Sequence, residues 1–390
     1  MSFSKLLGSK LFRITAILLL IAIVLFAVTL FSNEPTVAPT GDFQAKPADM
    51  EEPEINGSVV VSELNKPWGI DFYDDEKFIF VERAGSINVF DGEKALILET
   101  PSDLDARGEG GLLGVTVDPE FETNNYIYVC YTTESDVRVN RWVLNKEQNG
   151  LSDQQTIVDD MPVAKSGRHS GCRPDFGPDG YLWIATGDAA IGTTPQDPQS
   201  LGGKILRVDR DGQPAPDNIG GEYDPRVYSY GHRNSQGIAF AEDKSYIGFS
   251  AEHGPDVDDE INILSTGNFG WNPVPGYNES VLMTDTIAYP DAVRAAWKSG
   301  KPTVALSGAT FVYGEEWKAM DGRLLVATLK AKKVLMFDVS DSGELENEAV
   351  IFDDQFGRIR SVEQSPSGSL YITTDNGDNK DQIIKFSPSS

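Results

Sequence analysis

Histidine is nearly missing from this chain: 390 residues carry only His169, His232 and His253. Cysteine is scarcer still, with Cys130 and Cys172 alone and no CxxC or CxxCH pattern, which argues against a cysteine zinc site and against covalently attached haem. Basic residues are short relative to acidic ones, 33 against 60, for a formal net charge of −27. A surface of that sign repels nucleic acid and anionic membrane, so nucleic-acid readers are set aside. It also requires any anionic ligand to find a local basic cluster. There is no P-loop, HExxH or GxSxG, and GEGGLLG (108–114) misses the dinucleotide fingerprint in both spacing and strand–helix context. Helical periodicity is almost absent after residue 32.

What is present begins with one long apolar run. Lys5, Lys10 and Arg13 precede an uncharged stretch from Ile14 to Ser32, of a length suited to a spanning helix. Residues 1–32 are read as an uncleaved anchor with its positive end inside, with a cleaved signal peptide as the alternative. Either puts the bulk of the protein outside the cytoplasm. Residues 33–56, acidic and proline-bearing with no apolar period, read as a flexible tether. Outside the cytoplasm the two cysteines have two readings, a disulfide or a pair of buried thiols.

Residues 57–390 repeat themselves. Each unit opens with a short strand-like segment, five of them glycine-bearing, PWGIDF (67–72), LLGVTV (112–117), SGCRPDF (170–176), SQGIAF (235–240) and SGATFVY (307–313), and the sixth IRSVEQ (359–364). A turn rich in Pro, Asp, Gly or Asn follows, then a second strand such as YLWIATG, then a third such as KILRVD. Units recurring roughly every 45–70 residues predict an all-β, six-bladed β-propeller behind the N-terminal helix. A β-sandwich with long loops is the alternative. The segment VVVSEL (59–64) is placed to supply the outer strand of the last blade and close the ring.

In such a meander the start of a blade's first strand and the end of its second share one rim. That rule gathers Glu109, His169, Arg233, Asn234, Arg358 and Arg360 (ahead of or opening first strands) with Asp188, His253, Gly254, Pro255 and Lys330 (after second strands). Arg233, Lys330, Arg358 and Arg360 make the rim basic where the protein is not, and guanidinium groups suit planar carboxylates. A flat polyanion in the mouth is the natural inference. His169 with Asp188 has the form of a general base and its orienting carboxylate, or of a structural hydrogen bond within the blade. EHGPDVDDE (252–260) offers oxygens to a hard cation, without the pattern of an EF-hand.

These motifs have a family likeness. GEGGLLGVTVDPEF, HSGCRPDFGPDGYLWIATGD, LGGKILRVDRDG, YGHRNSQGIAF, EHGPDVDDEINIL, GNFGWNPVPGY and FGRIRSVEQSPSG, in this order between Leu64 and Phe386, resemble the soluble quinoprotein glucose/sorbosone dehydrogenases, also called aldose sugar dehydrogenases. The resemblance implies a propeller that holds pyrroloquinoline quinone (PQQ), a flat tricarboxylate, with Ca2+ in its mouth, and oxidises an aldose at C1 to the lactone. It implies that His169 takes the C1 hydroxyl proton, Asp188 orients it, and Arg233 stabilises negative charge on the quinone C5 oxygen. Asn234, Lys330, Arg358 and Arg360 match contacts to PQQ. The carbonyls of Gly254 and Pro255 match ligands of the bridging calcium, and Glu260 with the carbonyl of Phe269 matches a second, structural calcium. Glu109 stands where the family often has glutamine, near the sugar, and Cys172 where glycine is common. Without a haem motif, electrons are expected to leave to an external quinone or cytochrome. A non-catalytic binding propeller and a calcium-dependent lactonase are the competing readings.

Overall fold

The computed structural model describes residues 53–389, apart from 94, 146, 148 and 243–247. The anchor expected at 1–32 and nearly all of the tether lie outside these residues. Six antiparallel sheets follow one another along the chain. Blade one is built from Pro67–Phe72, Phe78–Glu82, Ser86–Phe90 and Ala95–Glu99, and blade two from Leu112–Val117, Tyr126–Thr132, Val137–Leu144 and Leu151–Met161. Blade three has Arg173–Phe176, Leu182–Ala185, Lys204–Val208 and Val227–Tyr230, extended by a two-residue parallel pairing with Gly267–Asn268. Ser235–Phe240, Gly248–Glu252, Glu260–Ile263 and Trp297–Lys298 form blade four. Leu306–Val312, Arg323–Thr328, Val334–Val339 and Leu345–Ile351 form blade five.

Blade six takes three strands from the C-terminal end, Ile359–Gln364, Leu370–Thr374 and Asp381–Pro388, and its fourth from Ile55–Leu64. This pairing, Ile55 opposite Pro388 through Leu64 opposite Asp381, closes the ring. The first strand therefore starts at Ile55, two residues inside the stretch read as tether, where its backbone groups pair with the last strand.

The first strands are almost wholly buried, and glycine is what lets them crowd the axis. A Cβ on Gly114 would sit 2.2 Å from Pro174 Cδ of the next blade, and one on Gly237 would sit 2.1 Å from the Ser307 carbonyl oxygen. Second and third strands carry the aliphatic and aromatic residues that fill the spaces between blades, Trp142, Tyr128 and Phe249 among them.

Near the same end of five first strands the ladder slips: between Pro67 and Gly69, Leu112 and Val115, Ser235 and Gly237, Leu306 and Ala309, and Ile359 and Ser361. A bulge bends the strand and re-aims a side chain. Trp68, Gln236 and Arg360 lie within these slips, and all three are buried.

Cys130 of blade two is bonded to Cys172 at the entry to blade three, with Cα atoms 6.2 Å apart. The bond closes a separation of 42 residues. By the chain-entropy account, replacing both cysteines by serine is expected to cost about 2–4 kcal/mol, read from urea unfolding of the two proteins.

Candidate functional site

Arg173 belongs to blade three yet donates from Nη2 to Ser361 Oγ of blade six, at 3.2 Å. In a six-membered ring these blades face each other, so this bond crosses the axis. The guanidinium also donates to the Gln236 carbonyl at 3.0 Å and lies 4.4 Å from the Trp68 ring centre. Arg360 lies 5.1 Å from the same ring, donates to Gln236 Oε1 at 2.6 Å and to Ser307 Oγ at 3.3 Å, and pairs with Asp375 through Nε at 2.9 Å. The bulge residues thus build a cationic floor held by side chains of blades one, three, four, five and six.

Above it stands the imidazole–carboxylate couple. His169 Nδ1 donates to Asp188 Oδ1 at 2.8 Å, which leaves Nε2 as the acceptor nitrogen. His169 is held in the left-handed backbone region at φ 52°, with its N–H donating to Glu109 Oε2 at 2.8 Å and its carbonyl accepting from Ala189 N at 3.2 Å. Asp188 is fully buried and receives three further donors: Ala190 N at 2.8 Å, Trp271 Nε1 at 2.8 Å and the Tyr277 hydroxyl at 2.6 Å. Four hydrogen bonds on one carboxylate fix its plane, and with it the ring. The loop that runs on from Asp188 is pinned by buried Lys204, whose Nζ donates to the carbonyls of Thr194, Pro195 and Gly202 at 2.8, 3.2 and 2.8 Å.

Arg233 donates to the His253 carbonyl at 3.0 Å and to Glu279 Oε1 at 2.6 Å, while its buried Nε has no partner among the described residues. Its backbone is held by Glu252, which accepts from Arg233 N at 2.8 Å and from His232 Nδ1 at 3.0 Å. His232 is therefore structural. His253 donates to the Leu306 carbonyl; burial, then the charges of Arg360 and Arg233, push its pKa down to about 3, so it stays neutral. Asn234 accepts from Gly171 N at 3.2 Å and bridges to Gly187, tying blade four to the His169 loop. Arg358 is half-buried and donates to the Asp375 carbonyl at 3.1 Å; burial lowers its pKa, with the Arg360 charge acting the same way. Lys330 is exposed and donates to Thr303 Oγ1 at 2.9 Å.

The oxygen-rich segment is different. Gly254 N donates to Asp259 Oδ1 at 2.8 Å, and Asp259 Oδ2 accepts from Val304 N and Ala305 N. The residues that the resemblance implies for a second calcium, Glu260 and the Phe269 carbonyl, carry other contacts nearby. Buried Glu260 already has a cation, Lys298 Nζ at 2.9 Å, and accepts from Thr284 Oγ1 at 2.7 Å. The Phe269 ring stacks on His232 at 4.4 Å. Among the described residues no cluster of three His, Cys, Asp or Glu side chains is arranged for a metal.

The rim rule, applied to every blade, would also have reached Arg83 and Asp375, each directly after a second strand. Arg83 donates to the carbonyls of Gly108 and Gly110, and it feels the charges of Asp375, Arg360 and Glu109. Trp271, Tyr277 and Glu279 lie in the long loop of blade four, where the rule is silent.

Asp71, Asp175 and Glu363 line a small cavity of about 20 Å³ with Arg173, Ile70, Val115 and Ile238. Burial raises all three carboxyl pKa values, Asp71 to about 6 and Asp175 to about 8. A carboxyl whose pKa is higher folded than unfolded binds more protons in the native state between the two values, so stability falls as pH rises across that window. Urea midpoints are expected to fall from pH 5 to pH 8, less steeply in Asp175→Asn; identical slopes in the two proteins would contradict this.

Residues 64–385 match the family model described as glucose/sorbosone dehydrogenase. The chain is 29% identical over 354 residues to aldose sugar dehydrogenase YliI of Escherichia coli, covering 86% of this chain and 93% of that one. It is 30% identical over 322 residues to quinoprotein glucose dehydrogenase B of Acinetobacter calcoaceticus, covering 73% and 64%. Among solved structures, the PQQ-bound form of aldose sugar dehydrogenase from Streptomyces coelicolor superposes with a TM-score of 0.71 at 26% identity, covering 86% of this chain and all of that one. The apo form of the soluble Escherichia coli aldose sugar dehydrogenase gives 0.75 at 28%, with the same coverage.

Proposed function

The chain belongs to the glucose/sorbosone dehydrogenase family, and from that premise we propose that it is a PQQ-dependent dehydrogenase oxidising aldoses at C1 to the lactone. The observation that carries this reading is the couple of His169 and Asp188 set over a cationic floor that crosses the axis. The floor and rim fit a flat polyanion: Arg233 keeps a buried Nε–H with no acceptor, and Lys330, Arg358 and Arg360 supply further charge from blades five and six. These residues, with Asn234, would hold the cofactor. When bound, PQQ supplies the two-electron acceptor for the hydride of the sugar C1.

The chain's own part is proton and charge control. Nε2 of His169 takes the proton of the C1 hydroxyl, and Asp188 supports the imidazolium that forms. Tyr277 and Trp271 hold Asp188, so the ring spends no energy on reorienting. Arg233 faces the negative charge that builds on the accepting side. A calcium at the carbonyls of Gly254 and Pro255 stays within the proposal; its remaining ligands would have to come from the bound cofactor and water.

Electrons are proposed to leave to an external quinone or cytochrome, and the net charge of −27 favours a basic partner. An extracytoplasmic location, held at the membrane by the N-terminal segment, is supported by the Cys130–Cys172 disulfide. Reconstitution of the full chain with PQQ and Ca2+, followed by an artificial dye and a set of aldoses, tests the function. Dye reduction that needs both PQQ and aldose is expected; PQQ-independent opening of a lactone would replace this reading with a lactonase.

A further inference from the structure

Glu279 joins two arginines at the mouth. Its Oε1 accepts from Arg233 Nη2 at 2.6 Å and from Arg168 Nη2 at 3.0 Å, and Arg168 Nη2 lies 3.4 Å from His169 Nε2. Two short steps therefore lead from Nε2 of the imidazole, through Arg168, to a carboxylate. Glu279 is 38% exposed while the Arg233 and His169 side chains beside it are nearly covered, at 5% and 4%. The carboxylate is thus open to whatever enters the mouth. Burial alone would raise its pKa, but the hydrogen bond and charge of Arg233, with the charge of Arg168, outweigh it and hold the group below its ordinary value. It is a fixed anion that can only accept hydrogen bonds. On the other flank Glu109, also exposed, is tied to the backbone of the same histidine.

We propose that Glu279, steadied by Arg168 and Arg233, is a specificity-determining residue that accepts a hydrogen bond from the substrate hydroxyl next to the carbon being oxidised. This rests on the reading of His169 as the base at C1. Any substrate whose C1 hydroxyl reaches Nε2 brings its neighbouring carbon within reach of the Arg168–Glu279 pair, since the pair borders that nitrogen. An ionised acceptor held by two guanidinium groups suits the O–H of an uncharged polyhydroxy aldehyde. A sugar lacking that hydroxyl leaves the carboxylate without its partner, and a site built around such a bond discriminates against the deoxy analogue.

The test compares an aldose with its 2-deoxy analogue, using the full chain reconstituted with PQQ and Ca2+ and a dye acceptor. Wild type is expected to prefer the 2-hydroxy sugar by about 10–100-fold in kcat/KM. Glu279→Ala should bring that ratio close to one, chiefly through a higher KM for the 2-hydroxy sugar, and Glu279→Gln should keep part of it. PQQ affinity and thermal midpoint, measured on the same preparations, report whether the site itself is intact. An active Glu279→Ala enzyme with the wild-type ratio, or an equal loss on both sugars, overturns the proposal alone, since a mere tie between two arginines cannot tell the sugars apart. Wild-type protein that binds PQQ yet oxidises no aldose overturns the parent reading as well.

Discussion

His169→Ala is expected to lower kcat by about 10²–10⁴-fold while leaving the dissociation constant for PQQ nearly unchanged. The imidazole bonds to Asp188 and the His169 backbone to Glu109, whereas the groups proposed for cofactor binding reach the mouth from other blades. Removing the ring takes away the proton acceptor and leaves the cationic floor in place. Steady-state dye reduction and fluorescence titration with PQQ, on one preparation, separate the two effects. Asp188→Asn should reproduce most of the loss, because an amide can no longer fix the tautomer. Equal losses in turnover and in PQQ affinity would remove His169 from the role of base.

Arg360→Ala is expected to have the largest effect on the fold, about 3–5 kcal/mol of stability lost. Arg360 is buried, and its partner Asp375 is only 6% exposed, so the variant strands a carboxylate in the interior. It also strips Gln236 and Ser307 of a donor and Trp68 of one of its two cations, leaving Arg173 at 4.4 Å. Loss of cofactor binding in this variant would therefore be uninformative by itself. Arg358→Ala separates the questions. Its side chain is half-buried and its donation to the Asp375 carbonyl is a single contact, so the ring should stay folded while PQQ affinity falls about 10–100-fold. Unchanged affinity in a folded Arg358→Ala protein would remove that residue from the clamp.

The six blades were legible because the same strand–turn–strand unit recurs six times, with a glycine in five of the first strands. A first strand close to the axis needs glycine, and a glycine flanked by apolar residues can be seen without coordinates. The closing strand was legible in VVVSEL because an apolar, β-branched segment ahead of the first blade was left over to complete the last, although its start at Ile55 was hidden in an acidic stretch. The couple of His169 and Asp188 followed from blade geometry alone, since strand ends define a rim. Arg173, Asp175 and Glu363 escaped because they sit inside strands read as apolar, on the side facing the channel. Only the ring places opposite blades within hydrogen-bond reach, as Arg173 and Ser361 show. Trp271, Tyr277 and Glu279 escaped for another reason. They lie in a loop without period, and nothing in its order says that it folds back over His169. The Lys298 partner of Glu260 was not legible either, because it lies 38 residues further along, in the strand that pairs with Glu260.

The account stands or falls on hydride leaving C1 of an aldose while the His169–Asp188 couple takes the hydroxyl proton. The direct measurement is a single turnover: full-length protein saturated with PQQ and Ca2+ is mixed with an aldose, or with the same aldose deuterated at C1, and the absorbance of the bound quinone is followed. The account predicts that wild type reduces the quinone within one turnover, more slowly with the deuterated sugar, and that His169→Ala binds the quinone without reducing it. Wild-type protein that carries bound PQQ and leaves it oxidised with every aldose, or reduction at the wild-type rate in His169→Ala, would contradict it.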